Sequence, residues 1–173
     1  MRHSKAGEGK PSQSDFERSL THKGTEMARQ TGICLRSQGL RIDRVIASSA
    51  VRTRETAEIV SSEVCPGVPI VLLESLYLAP ADAFAQSVRD QSFDDDSCVL
   101  VVGHNPGIAE LMCGWSEQSL EVPTSTVAIF RSSATDWSGV GAKSGAPQLK
   151  SIIHKGRVEW QERSPEVPAV PAE

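Results

Sequence analysis

The stretch "DDDSCVLVVGHNPG", residues 94–107, decides the fold. An acidic run gives way to five apolar residues, Cys98 to Val102, and these lead at once into Gly103, His104, Asn105 and Pro106. An unbroken apolar strand has no polar face to offer water, so it predicts a sheet covered on both sides. "NPGIAELMCGW" (105–115) then begins a helix, with Asn105 as N-cap, Pro106 at the first helical position, and Ile108, Leu111, Met112 and Trp115 along one side.

The same alternation continues upstream. Thr21 in "SLTHKG" can cap a helix over Thr21 to Gln38, in which Met27, Ala28, Thr31, Cys34 and Leu35 recur at helical spacing until Gly39 stops it. "DRVIASS" (43–49) predicts a short buried strand, and "AVRTRETAEIVSSEV" (50–64) a helix with Val51, Ala57, Ile59 and Val60 inward. "VPIVLLES" (68–75) is a further strand, and "APADAFAQSVRDQ" (79–91) a further helix with Asp82 in its first turn. Downstream, "TSTVAIFRSS" (124–133) and "LKSIIHKG" (149–156) predict two more strands, joined by a long flexible Gly- and Ser-rich connection, Ser132 to Gln148. Strands alternating with helices predict an α/β fold, a three-layer sandwich whose central sheet is mainly parallel.

Composition limits what such a fold can do. The 173 residues suit one domain with a sizeable core, expected over residues 1–160, with a disordered Pro-rich tail over 161–173. Eighteen basic against 22 acidic residues leave a net charge of -4, so no overall basic field draws in nucleic acid. Any anion site has to be built locally. Cys34, Cys65, Cys98 and Cys113 lack paired metal spacing and sit in or beside apolar stretches, as reduced, buried thiols do. No apolar run approaches membrane-span length and no signal-peptide core is present, so a cytoplasmic protein without a membrane partner is expected.

Ligands of open α/β sheets collect beyond the carboxyl ends of the strands. Ser48, Ser49, Arg52 and Arg54 follow one apolar run, His104 follows another, and Arg2 and His3 reach the same edge if a strand precedes them. A guanidinium fork matches a phosphoryl group, and a neutral imidazole attacks phosphorus when its other nitrogen is held by a hydrogen bond. Two histidines and two arginines facing one another therefore describe phosphoryl transfer without a metal or other cofactor.

Together "RHSKA" (2–6), "SSAVRTRETA" (48–57) and "VVGHNPG" (101–107) resemble the histidine phosphatase superfamily, which includes phosphoglycerate mutases and acid phosphatases. "SDFERSLTHKG" (14–24) and the "GHNPG" turn are most similar to its SixA-type branch of phosphohistidine phosphatases. The resemblance covers about residues 1–130 and implies a phosphoglycerate mutase-like fold. By position it makes His3 the phosphorylated residue, Arg2 and Arg52 its phosphate-binding partners and His104 the second histidine. Glu74 stands about where many superfamily members carry a proton-donating glutamate, but it reads equally as a solvated strand-end carboxylate, and a phosphohistidine leaving group has less need of such an acid. Ser49 is a candidate phosphate contact, although Ser48 and Ser49 can equally end the strand and cap the next helix. Arg54 reads as a charged helix face, and His22 and His154 as surface residues. Family members carry an apolar strand before the Arg-His pair; here only Met1 stands there, so the first strand is largely missing and a start upstream of Met1 is expected.

The resemblance implies a phosphatase acting on a phosphohistidine-bearing protein. A small-molecule phosphomonoesterase and an inactive phosphate-binding module are the alternatives.

Overall fold

Three of the apolar runs assemble side by side. In the computed structural model, which describes residues 1–93, 95–141 and 146–162, β1 (Arg44–Ser48) lies between β2 (Ile70–Leu73) and β3 (Val99–Val102). All three run parallel, with Ile46 opposite Val71 on one side and Val101 on the other. β1 sets the layers by its two-residue period. Val45 and Ala47 join one core cluster, while Ile46 joins the other, and all three are fully buried.

The helices cover those two faces. α1 (His22–Ser37) brings Ala28 and Leu35, and α2 (Val51–Val64) brings Ala57 and Val60, against the Val45 face. α3 (Ala81–Gln91) and α4 (Gly107–Ser116) bring Phe84, Ile108 and Met112 against the Ile46 face. The start of α1 is as expected, since Thr21 Oγ1 accepts from the Gly24 amide at 3.0 Å. Gly39, past its end, takes the left-handed φ of +71° that ends helices without a Cβ penalty.

A second three-stranded sheet is antiparallel. β4 (Thr126–Arg131), β5 (Gln148–His154) and β6 (Arg157–Gln161) form a meander in that order. β6 went unforeseen because "RVEWQ" is exposed along its whole length and lacks the apolar alternation that marks a strand. The connection between β4 and β5 holds a 3-10 turn, Trp137–Gly139, and Trp137 Nε1 donates to the Asp96 carbonyl at 2.7 Å. Residues 163–173, the larger part of the expected tail, lie outside the described residues.

Between the two sheets runs the segment Met1–His3. The Met1 amine donates to Val101 O at 2.7 Å, the Gly103 amide to Met1 O at 3.0 Å, and the His3 amide to Gly103 O at 3.0 Å. On the other side the Arg2 amide donates to Thr126 O at 2.9 Å, and the Ser125 amide to His3 O at 3.1 Å. Met1 to His3 thus bridge β3 and the start of β4, in the place of a central strand. Behind Met1 a cavity of about 560 Å³ separates β3 from β4, lined by Val99, Val101, Val127 and Ile129 among others. No helix among the described residues is long and apolar enough to cross a membrane.

Several expectations about local structure are corrected. Asn105 does not cap α4, whose N-cap is Pro106. Its side-chain amide instead donates to Val122 O at 3.0 Å, a partner 17 residues away. Ser48 and Ser49 do not serve as N-cap of α2 either, because Ala50 holds that place. His154 is not a surface residue: its side chain is 16 % exposed and pairs with Glu159 of β6 at 3.1 Å. Of the cysteines, Cys34 and Cys65 are buried, whereas Cys98 and Cys113 are partly exposed; all four are free thiols.

Candidate active site

The carboxyl ends of β1 and β3 and the N-terminal stub open onto one hollow of about 420 Å³. Arg2, His3, Arg52, His104 and Asn105 line it, together with Lys5, Asp15 and Arg18 from the segment between the stub and α1. Four residues singled out from sequence, distant along the chain, therefore meet. The His3 and His104 ring centroids are 5.2 Å apart, inclined at 60°.

Each histidine is positioned by its own element. His3 stands where the stub leaves the sheet, and its Nδ1 lies 2.7 Å from Ser4 O. A carbonyl only accepts, so Nδ1 carries the proton and Nε2 keeps its lone pair. The next residue anchors the stub to α2: the Ser4 amide donates to Thr56 Oγ1 at 3.0 Å, which itself donates to Arg52 O at 2.6 Å. The Ser4 hydroxyl also bonds that of Ser125. His104 follows β3, and its Nε2 lies 3.0 Å from Ser48 Oγ at the end of β1. Gly103 lets the chain pass the Phe84 ring, since a Cβ there would come within 2.2 Å of it. At Gly107 a Cβ would meet Ala79 O at 2.0 Å, so "GHNPG" needs both glycines for close approach.

Burial and positive neighbours act together on the imidazoles. Desolvation, reinforced by Arg52, Arg2 and Arg18, lowers the His3 pKa to about 4 despite the opposing Ser4 hydrogen bond. Desolvation and the charges of His3 and Arg52 lower that of His104 to about 3. Both rings are neutral at pH 7, the form in which an imidazole is a nucleophile. Three polar atoms on the lining are buried without a partner: Arg2 Nε, His104 Nδ1 and Asn105 Oδ1. Such orphaned groups concentrated in one hollow are a mark of a ligand site.

The arginines are clamped rather than free. Arg2 donates to Val122 O at 2.9 Å. Arg52, only 4 % exposed, donates to Asp15 O at 2.5 Å and to Asp15 Oδ2 at 2.9 Å. Asp15 also accepts from Arg18 at 2.6 Å and from the Tyr77 hydroxyl at 2.7 Å. Neither Asp15 nor Arg18 was assigned a role from sequence, although both lie within "SDFER". The signal available there was an Asp–Arg pair at i,i+3 in a stretch with no apolar periodicity.

Two sequence candidates fall outside the hollow. Glu74 is exposed at the start of a 3-10 turn after β2 and is not among the lining residues. The Ser49 hydroxyl is buried without a partner and likewise does not line it. Arg54 pairs with Glu58 one turn along α2 at 3.8 Å, as a charged helix face does.

Comparisons with known proteins bear on the fold and the family. Residues 1–77 match the model of the histidine phosphatase superfamily (branch 1). The SixA protein of Nakamurella multipartitia superposes with a TM-score of 0.74 at 25 % identity, covering 89 % of this chain and 92 % of that one. The protein histidine phosphatase SixA complexed with tungstate superposes with a TM-score of 0.75 at 23 % identity, over 90 % and 94 % of the two chains. An uncharacterised protein of Mycobacterium leprae is 29 % identical over 143 residues, 75 % of this chain and 86 % of its own length.

Proposed function

We propose that this chain, which belongs to the histidine phosphatase superfamily and has a SixA-type fold, is a phosphatase that hydrolyses phosphohistidine on a protein through a phosphoryl intermediate on His3. In the first step the His3 Nε2 lone pair attacks phosphorus. The new P–N bond forms as the P–N bond of the substrate breaks, and the departing imidazole keeps the electron pair. With its other nitrogen already protonated, it leaves as a neutral ring. In the second step water attacks the phosphoryl group, the bond to His3 breaks, and orthophosphate is released. Arg2, Arg52 and His104 spread the charge on the equatorial oxygens in both steps.

The observation that carries the choice of substrate is the state of the one carboxylate that lines the hollow among the described residues. Asp15 is held far below the usual carboxylate range by hydrogen bonds from Tyr77 and Arg18 and by the charge of Arg52. It is a poor proton donor, and Glu74 lies elsewhere. An alkoxide leaving group needs a proton in the transition state, whereas a protonated phosphoimidazole does not. The hollow thus favours a P–N over a P–O substrate.

The test has two parts. Turnover of a phosphohistidine-bearing protein is expected to leave an acid-labile, base-stable phosphoryl label that His3→Ala lacks. Rates are then compared with sugar and nucleotide monophosphates at matched concentration. Faster turnover of the monophosphates would assign a small-molecule phosphomonoesterase, and tight phosphate binding without a label would leave a binding module.

A further inference from the structure

Asp15 makes an unusual set of contacts for an exposed residue. Its side chain is 46 % exposed, yet it accepts from three side chains of three different segments: Arg18 four residues before α1, Arg52 in the first turn of α2, and Tyr77 after β2. The turn that carries it is itself fastened down. The Ser14 amide and hydroxyl donate to Glu17 Oε2 at 3.1 and 2.8 Å, and Phe16 packs edge-on to the Tyr77 ring at 5.0 Å. Tyr77 in turn stands edge-on to His104 at 5.5 Å. One carboxylate therefore links both distal guanidiniums and, through one ring, the second histidine.

Resting on the reading of the hollow as a phosphoryl site, we propose that Asp15 is a positioning residue that yokes Arg18 and Arg52 side by side for the transition state and, by its charge, holds down the affinity for the orthophosphate product. Arg52 spends two of its five N–H groups on Asp15, and Arg18 one, with another going to Gly7 O. The rest of each fork stays available to an anion, in an orientation fixed by the yoke. A carboxylate beside a phosphate site also repels the bound dianion, an effect that acts on ground state and product alike. Position and charge therefore pull in opposite directions on turnover and on product binding. A purely structural contact would move the two together.

Asp15→Asn keeps the shape but removes the charge and one of the acceptor oxygens. Orthophosphate binding, read by titration calorimetry on the full chain, is expected to tighten about threefold or more, while kcat on a phosphohistidine protein falls about tenfold. Asp15→Glu, which keeps the charge, is expected to bind orthophosphate as the wild type does. Tyr77→Phe removes one contact without touching Asp15 and is expected to lower kcat about threefold at unchanged phosphate affinity. It decides the matter should Asp15→Asn fail to fold, and wild-type kcat in Tyr77→Phe would then overturn the yoke. Weaker phosphate binding in proportion to lost kcat in Asp15→Asn, or no change in either, would also overturn it. A wild type that neither binds orthophosphate nor turns over any phosphorylated substrate would instead overturn the reading of the hollow.

Discussion

The Ser48 hydroxyl lies 3.0 Å from His104 Nε2, joining the last residue of β1 to the loop after β3 across 56 residues of chain. Parallel pairing of β1 with β3, Ala47 opposite Val102, brings the two strand ends to the same edge. The contact orients the more buried of the two imidazoles, whose side chain is 1 % exposed. Ser48→Ala removes that partner and leaves a ring nitrogen buried without one, at a cost of about 1 to 3 kcal/mol. We expect kcat to fall about tenfold with KM within about twofold, as for a group that positions rather than binds. Steady-state kinetics on a phosphohistidine protein check this, and unchanged kcat would remove the role.

Gly107 faces a stricter limit than helix propensity. A methyl group there would sit 2.0 Å from Ala79 O and 3.0 Å from the Phe84 ring, both in the core under α3 and α4. Gly107→Ala is expected to lower stability by about 1 to 3 kcal/mol, the usual cost of overpacking. Substitution of Gly114, which has open space around it, is expected to leave stability unchanged or slightly higher. Urea titrations of the two variants compare these outcomes.

Stability should rise with pH from about 3 to 6.5. Burial shifts His3 from 6.5 to about 4 and His104 from 6.5 to about 3. Both are bases whose folded pKa lies below the unfolded one. Between the two values the unfolded chain holds the extra proton, so acid favours unfolding. Above pH 6.5 neither contributes, and below about pH 3 the full loss is present. Each group adds at most about 1.4 kcal/mol per pH unit within its own window. Urea midpoints measured from pH 4 to 7 test this, and a midpoint that falls as the pH is raised would contradict the assignment.

Much of this molecule is written in short-range patterns. The alternation of apolar runs and helical stripes marked β1, β2, β3 and the four helices, since each is a matter of neighbours within a turn or a pleat. Thr21 and Gly39 marked the ends of α1 for the same reason, one by a local cap and the other by a backbone angle few other residues tolerate. Arg2, His3, Arg52 and His104 were singled out by their motifs, and the structure brings these four to one hollow. Tertiary structure decided what they touch. Asp15 reaches Tyr77 over 62 residues, Asn105 ties Val122 instead of capping α4, and Glu74, at the end of a strand like the others, stays outside the hollow. None of these has a local signature, because strand register and the packing of separate segments determine which polar groups come within the ~3 Å a hydrogen bond requires.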